Sequence, residues 1–356
     1  MTVEEAAAEI RERDAVRPRG GGTKLGWSPR GDDAVDFETR GLNRVLEHNE
    51  GDFTAVLEAG VPLAEAQAHF GRAGQMLAID PPLGEGDAAT IGGVMATNDA
   101  GPLRHRYGGM RDLVVGVTVV LSDGTVAKSG GQVIKNVAGY DLAKLFTGSY
   151  GTLGLIARVA VRLHPAPERT ATLVAESDDA AALGRAAVAL AALPLEADCL
   201  DVDWEGDRGR LAVRFGGTTA ADRAREAERH VSLGGTRVEE DDHELWAQQR
   251  ARQRSRDGVV VKVAGRPTDL PAVIRAAGSA SVVSRAGLGV SYVAGADVAT
   301  LREALAPRHC TVLDGADRVP DPWPAVDPGA LKVMERIKAR FDPERTFRPG
   351  AFVGGL

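Results

Sequence analysis

Three glycine-dense loops fall within about 135 residues of this 356-residue chain: Gly20-Gly21-Gly22-Thr23, Thr90-Ile91-Gly92-Gly93 and Gly148-Ser149-Tyr150-Gly151-Thr152-Leu153-Gly154. Without a Cβ in the way, glycine lets backbone amides turn inward on an anion, and a helix N-terminus adds a favourable dipole. A single such loop reads equally as a tight turn. Three together point to a phosphate-bearing ligand, a diphosphate above all. The commoner nucleotide signatures do not fit. Gly148 to Gly154 is GxxGxxG leading into a strand, not GxGxxG between strand and helix, and GxxxxGK[ST] is absent.

Composition narrows the classes. A net charge of -7 with interspersed Lys and Arg argues against a nucleic-acid surface. The opening MTVEEAAAEIRERDAV is a charged helical pattern without an apolar signal core, and no apolar stretch approaches the ~20 residues that cross a bilayer. The expected location is the cytoplasm, with any membrane association made through partner subunits and no transmembrane segment. Cys199 and Cys310 stand alone and build neither an iron–sulfur nor a zinc site. The seven histidines show no metal-ligand spacing, His243-Glu244 lacks the second histidine of HExxH, and no GxSxG elbow occurs.

Along the chain, VDFETRGLNRVLEHNEGDFTAVLEAGVPLAEAQAHF reads as strand, loop, strand and a helix opening after Pro62. Asp80 to Gly93 is a turn-rich loop followed by a short small-residue helix. VVGVTVVLSDGTVAKSG predicts a hairpin turning at Asp123-Gly124. The strand LGLIARVAVRLHP stops at Pro165 and Pro167, where a domain boundary is placed. From Thr170 the texture becomes a βαββα rhythm that repeats, suited to an antiparallel sheet with helices on one face. VPDPWPAVDP then links to a terminal helix, GALKVMERIKARF, and the tail DPERTFRPGAFVGGL.

RPRGGGTKLGW, GQMLAIDPPLGEGDAATIGGVMATNDAGPLRHRYGGMRDLVVG and KNVAGYDLAKLFTGSYGTLGLIARVAVRLHP resemble, in order and spacing, the flavin-contact segments of the vanillyl-alcohol-oxidase/PCMH-type FAD-binding family. The tail FDPERTFRPGAF resembles that family's terminal segment. The strings AGQML, AGP, KNVAGYDL and GSYGTLG are particularly similar to the E subunits of glycolate oxidases.

The resemblance implies an α+β fold. A PCMH-type FAD-binding domain of two α/β subdomains (1–167) would be joined by an antiparallel-sheet/helix cap domain (168–325) and by a C-terminal helix and tail (326–356) returning to the first part. It also implies where FAD would lie. Arg19, Gly20, Gly21, Gly22, Thr23 and Lys24 would form the first pyrophosphate loop. Thr90, Ile91, Gly92 and Gly93 would make a second phosphate-side contact, and Ala96, Thr97, Asn98, Ala100 and Gly101 would line the isoalloxazine and ribityl side. Arg106, Tyr107 and Gly108 match the position where the family's chain leaves the flavin. Gly148, Gly151, Thr152, Gly154 and Ile156 would close over the adenine side.

Local readings stand beside these. Thr23 and Thr90 are also turn residues, Asn98 a helix cap, Asp141 a helical partner of Lys144, Arg106 a solvated charge and Tyr107 core packing. His105 and His309 read as loop residues.

Covalently flavinylated relatives place a histidine where this chain has Thr23-Lys24, so a noncovalent FAD is expected. Arg348 stands where many relatives have asparagine, and a cation there would favour reduced flavin. The family's 2-hydroxy-acid dehydrogenases carry a C-terminal His/Glu metal cluster that RAGLGVSYVAGADVATLREALAPRHCTVLDG lacks. No catalytic residue is assigned and no metal is expected.

The function implied is that of an FAD-binding subunit in a glycolate oxidase-like complex. It would take part in flavin-mediated oxidation of a small 2-hydroxy acid, glycolate to glyoxylate, and pass electrons between a catalytic flavoprotein subunit and an iron–sulfur subunit. The alternative is a stand-alone FAD-dependent oxidoreductase with an unidentified substrate.

Overall fold

The computed structural model describes residues 1–29, 31, 33–131 and 141–356. Most of the KNVAGYDL string, residues 135–140, lies outside them. Helix α1 (Val3–Arg11) starts at a capping box, with the Glu5 amide donating to Thr2 Oγ1 at 3.1 Å and the Thr2 amide to Glu5 Oε2 at 2.7 Å. Its buried residues Val3, Ala6, Ala7 and Ile10 follow the i, i+3, i+4, i+7 spacing of one helix face. That face packs on Val16, Val120 and Leu155.

Strands β1 (Val16–Arg19) and β2 (Val35–Glu38) pair in parallel. The next segment folds as three elements: β3 (Val45–Asn49), β4 (Thr54–Glu58) and α2 (Leu63–Gly71), the last with Pro62 at its N-cap. The sequence predicts two strands in the stretch before α2 and the structure holds three, the turn that divides β3 from β4 being closed by bonds between Asn49 and Asp52. Then come β5 (Gln75–Met76), α3 (Ile91–Thr97), α4 (Arg104–Tyr107), α5 (Met110–Leu113), β6 (Val114–Val120) and β7 (Val126–Gly130). The β6–β7 hairpin turns where expected, with Gly124 at φ 77°.

Helix α6 (Leu142–Phe146) is capped by Asp141, which also meets Lys144 Nζ at 3.1 Å, so the local pairing expected for that residue is present and the cap is an addition to it. β8 (Leu155–Arg162) completes an antiparallel sheet of order β3-β4-β8-β6-β7, and β9 (His164–Pro165) pairs with β5. One core lies between this sheet and α2, α3, α5 and α6, centred on Leu57, Phe70, Met95, Phe146 and Val159.

The rest of the sheet-forming chain builds one eight-stranded antiparallel sheet. Its first half is β10 (Thr170–Ser177), α7 (Ala180–Ala191), β11 (Cys199–Glu205), β12 (Arg208–Gly216), α8 (Ala220–Glu228) and β13 (Arg237–Glu239). After α9 (His243–Ala251) the same succession recurs as β14 (Val260–Ala264), α10 (Leu270–Ala277), β15 (Ser281–Arg285), β16 (Val290–Ala294), α11 (Val298–Leu305) and β17 (His309–Val312). The order β13-β10-β12-β11-β15-β16-β14-β17 is one βαββαβ unit followed by its mirror in strand order, joined where β11 meets β15. The repeat read in the sequence is therefore a duplicated ferredoxin-like unit.

Helices α7, α8, α10 and α11 cover one face over a core of Leu173, Leu200, Val213, Val261 and Val293. Helix α9 departs from the one-face expectation. Its Leu245 and Trp246 pack on Val174, Cys199 and Ala212, the side chains that alternate to the opposite face. Both cysteines are free and buried. Among the described residues no helix is long and apolar enough to cross a membrane.

Helix α12 (Pro328–Phe341) buries one residue fully, and it is Lys338. Its ammonium meets Asp342 at 2.6 Å and donates to the carbonyls of Thr152 at 2.7 Å and Phe347 at 2.8 Å. Asp342 in turn accepts from the amides of Thr346 and Phe347, both at 2.9 Å. The tail is thereby tied to the third glycine loop, and Val16 bridges to Phe347 in parallel with β1. Removing one partner of a buried, hydrogen-bonded pair leaves an uncompensated charge. Asp342→Ala should therefore cost about 3 to 5 kcal/mol in denaturant unfolding, and less when combined with Lys338→Met.

Candidate functional site

The first glycine loop leaves the end of β1 at Arg19, whose guanidinium is held by Asp36 at 3.0 Å and Glu38 at 3.3 Å. Two of its glycines are dictated by close approach. A Cβ on Gly20 would sit 2.3 Å from Thr90 Oγ1, and one on Gly21 would sit 1.6 Å from the Ala88 carbonyl. Gly22 is left-handed at φ 73°. Among the described residues, no backbone carbonyl accepts the amides of Gly21, Gly22, Thr23 or Lys24, so these donors stay available to an anion.

The second loop is built differently. The amides of Ile91 and Gly92 donate to the carbonyls of Val61 (2.9 Å) and Ala59 (2.7 Å), while Gly93 donates to Thr90 Oγ1 at 3.2 Å. This loop backs the first one instead of offering free amides. Asn98 ends α3 in the left-handed region at φ 49°, as a cap.

The third loop is fastened to α3 by the Gly148 amide on the Met95 carbonyl (3.0 Å) and the Tyr150 amide on the Ala96 carbonyl (2.8 Å). Its Gly148, Gly151 and Gly154 all have positive φ. From the tail, Arg348 donates through Nη1 to the Tyr150 carbonyl at 2.9 Å, and through Nη2 to Ser28 Oγ at 2.6 Å and the Pro29 carbonyl at 2.9 Å.

Together these segments enclose a cleft with about 690 Å³ of empty space, part of it open to solvent. Of the residues singled out in the sequence, Gly20, Gly21, Gly22, Thr23, Lys24, Thr90, Gly92, Gly93, Ala96, Thr97, Gly151, Gly154, Ile156 and Arg348 line it. Arg19, Ile91, Asn98, Ala100, Gly101, Gly108, Gly148 and Thr152 lie outside the lining and act as its frame. Gly101, for example, packs so closely that a Cβ would sit 1.9 Å from the Asp80 carbonyl. Arg106 and Tyr107 face the eight-stranded sheet. Arg106 donates to the Glu196 carbonyl at 2.6 Å and meets Asp198 at 3.5 Å, and the Tyr107 ring lies 4.8 Å from that of His164.

Pro18, Leu25, Thr39, Ala59, Tyr150 and Leu155 also line the cleft. Tyr150 sat inside a glycine string and was within reach of sequence reading, whereas Thr39 and Ala59 follow ordinary strands and carry no signal. His105 is no loop residue in solvent. It is wedged against Gly287 of the sheet, and burial pushes its imidazole toward the neutral form, whereas His309 is exposed at the start of β17.

Where the cleft meets the sheet, charges are buried. Lys24 Nζ lies 3.4 Å from Asp99; burial pushes its ammonium down while Asp99 pulls it back. Gln253 links Asp99 to Arg285, which is paired with Asp201 in the core of the sheet. Lys262 stands opposite Tyr292 in the β14–β16 register, and its ammonium is pushed down by burial and then by the charge of Arg104. Among the described residues, neither Lys262 nor Arg104 has a side-chain hydrogen bond or ion pair. Burial holds the Tyr292 hydroxyl at about 12.

Amides free to donate, glycines at close approach and a buried arginine fit a dinucleotide with a diphosphate. Residues 2–130 match the FAD binding domain family, so the first part of the chain is an FAD-binding domain.

The chain is similar to the glycolate oxidase subunit GlcD of Bacillus subtilis, 38% identical over 173 residues, which cover 48% of this chain and 36% of that protein. It is similar to the glycolate oxidase subunit GlcE of Escherichia coli, 37% identical over 129 residues, covering 36% and 37%. The mitochondrial D-lactate dehydrogenase [cytochrome] of Arabidopsis thaliana is 35% identical over 162 residues, covering 45% and 28%. The matches thus span between 28% and 37% of these relatives' lengths. A solved alkyldihydroxyacetonephosphate synthase superposes with a TM-score of 0.72 at 17% identity, covering 98% of this chain and 74% of that one, and shows the α+β fold shared across both parts.

Two predictions follow from this geometry. Gly21→Ala should weaken FAD binding at least about tenfold in a fluorescence titration, since the loop must move off Ala88. Burial also raises the Asp80 and Asp201 carboxyls from 3.8 to about 6, with Arg250 and Arg285 respectively pulling them back. The folded protein then holds protons that the unfolded chain has released, so stability should fall as pH rises from about 4 to about 6. Asp80→Asn should flatten that slope in denaturant unfolding across this range.

Proposed function

We propose that the chain is the FAD-binding subunit of a glycolate oxidase-like assembly. In this reading it takes part in the oxidation of a small 2-hydroxy acid, glycolate to glyoxylate, beside a catalytic flavoprotein subunit, and passes electrons to an iron–sulfur subunit. The observation that carries it is the glycine-lined cleft opening toward the buried charges of the sheet. Two relatives are named as glycolate oxidase subunits. Among the described residues, no group of three or more His, Cys, Asp or Glu side chains is placed to hold a metal ion.

The domain division in this reading is 1–167 for FAD, 168–325 for the cap and 326–356 returning to the FAD domain. The protein works in the cytoplasm and meets a membrane only through its partners. FAD, when bound, supplies a two-electron acceptor. Gly20 to Lys24 donate amides to its diphosphate, Thr90, Gly92 and Gly93 support that loop, and Ala96, Thr97 and Tyr150 bound the end of the cleft nearer the sheet. In this reading the cofactor is noncovalent, with Thr23 and Lys24 standing where covalently flavinylated relatives place a histidine. Acid precipitation should release all of the flavin into the supernatant.

A specific observation favours a second reading, a stand-alone FAD-dependent oxidoreductase. Lys262 and Arg104 lie within electrostatic reach of each other beside Tyr292, which is what a carboxylate on the substrate would need.

The purified chain distinguishes the two readings. Bound flavin that glycolate and lactate leave unbleached under anaerobic conditions, together with co-purification of an iron–sulfur protein, is the outcome expected for the subunit. Bleaching by either acid would establish the second reading. In that case Lys262→Met should raise the half-bleaching concentration about tenfold or more by removing a charge-assisted contact.

A further inference from the structure

Two cations line the cleft, and they are unequally matched. Lys24 has Asp99 at 3.4 Å, whereas Arg348 has no acid partner among the described residues. Its three hydrogen bonds go to neutral oxygens, those of Tyr150, Ser28 and Pro29, and its buried Nε has no partner. Asp36, the acid whose charge it feels, is already taken by Arg17 and Arg19.

Arg348 is 5% exposed, and burial followed by repulsion from Arg17 pushes its guanidinium down to about 10, which still leaves it charged at neutral pH. The backbone that delivers it is left-handed at φ 47°, a region that non-glycine residues rarely occupy and that is held here by the Arg348 amide on the Val16 carbonyl at 3.0 Å. A buried charge without a counter-charge is costly, and so is such a backbone. Among the described residues both fall on Arg348, which lines the cleft.

We propose that Arg348 is the counter-charge that biases bound FAD toward its reduced, anionic form. The inference rests on the reading of the cleft as an FAD site. Uptake of two electrons and one proton, the electrons coming from the hydroxy acid by way of the catalytic flavoprotein subunit, leaves the flavin one negative charge richer than its oxidised state. A fixed, buried cation lining the same cleft stabilises that richer state more. Arg348 is a positioning charge here, and its neutral partners Ser28, Pro29 and Tyr150 leave its field unspent.

The test is potentiometric titration of the FAD-loaded wild type, Arg348→Lys and Arg348→Gln. Arg348→Gln should lose at least about tenfold in its preference for reduced over oxidised FAD, equivalent to a fall of about 30 mV in a two-electron midpoint potential. Arg348→Lys should keep the wild-type value. A purely structural or diphosphate-holding role would weaken FAD retention in Arg348→Gln yet leave the potential of the bound flavin unmoved, and that result overturns the proposal.

Sulfite titration of the wild type gives an independent reading that needs no variant. Sulfite adds to the oxidised ring and leaves it negatively charged, so the cation should permit bleaching by millimolar sulfite, and a flavin that resists saturating sulfite counts against the inference. A wild type that binds no FAD overturns the flavin reading together with this one. A wild type that binds FAD while Arg348→Gln keeps its potential overturns this one alone.

Discussion

The buried ammonium of Lys338 is where the two ends of the chain and the third glycine loop are held in common. It binds the Thr152 carbonyl from the loop and the Phe347 carbonyl from the tail, and its charge is balanced by Asp342, which fixes the same tail through two amides. Every lining residue contributed by the tail depends on that junction. Arg348 reaches the cleft only because Phe347 is pinned beside Val16, and β1 in turn delivers the first glycine loop. In an otherwise exposed helix, a polar pair specifies a single docking position more sharply than apolar packing does.

Much of the flavin part was legible because its constraints are local. Gly124 in its turn, Asn98 as a cap and Pro62 at a helix start each act through neighbouring backbone, and the sequence shows neighbours directly. The glycines at 20, 21 and 92 were legible for a related reason: backbone passes within a Cβ's width of Thr90, Ala88 and Ala59, leaving one residue type that fits. Thr39 and Ala59 escaped notice since they face the cleft only through tertiary placement. Lys262 was hidden by ordinary strand alternation, and what singles it out is Arg104, more than 150 residues away in the chain. The burial of Arg348 is likewise a fact of two distant segments, Ser28-Pro29 and Tyr150, closing over it.

Helix α9 shows the limit of periodicity. Its pattern reads as a polar helix, and most of it is polar, yet Trp246 and Leu245 suffice to seat it on the face of the sheet opposite the other helices. The polar remainder is what that position needs. Gln249 reaches Asp201, Arg250 lies 3.7 Å from Asp80, and Gln253, just past the helix, reaches Asp99, so the helix mediates between sheet and flavin part by hydrogen bonds and charge.

The duplicated βαββαβ unit has a consequence for how such a surface changes over time. The two copies meet edge to edge through β11 and β15, yet their open faces are used differently: α9 lies over β10, β11 and β12 of the first, while the second presents Lys262 and Tyr292 toward the flavin part. Each copy holds the flavin part by its own means, the first through α9 and the second by seating Trp27 among Val260, Tyr292 and Leu313, with the indole donating to Asp314 at 2.9 Å. A change confined to Lys262 can therefore retune what the second face accepts while both seats stay in place, a division of labour that a single unit of the same size could not maintain.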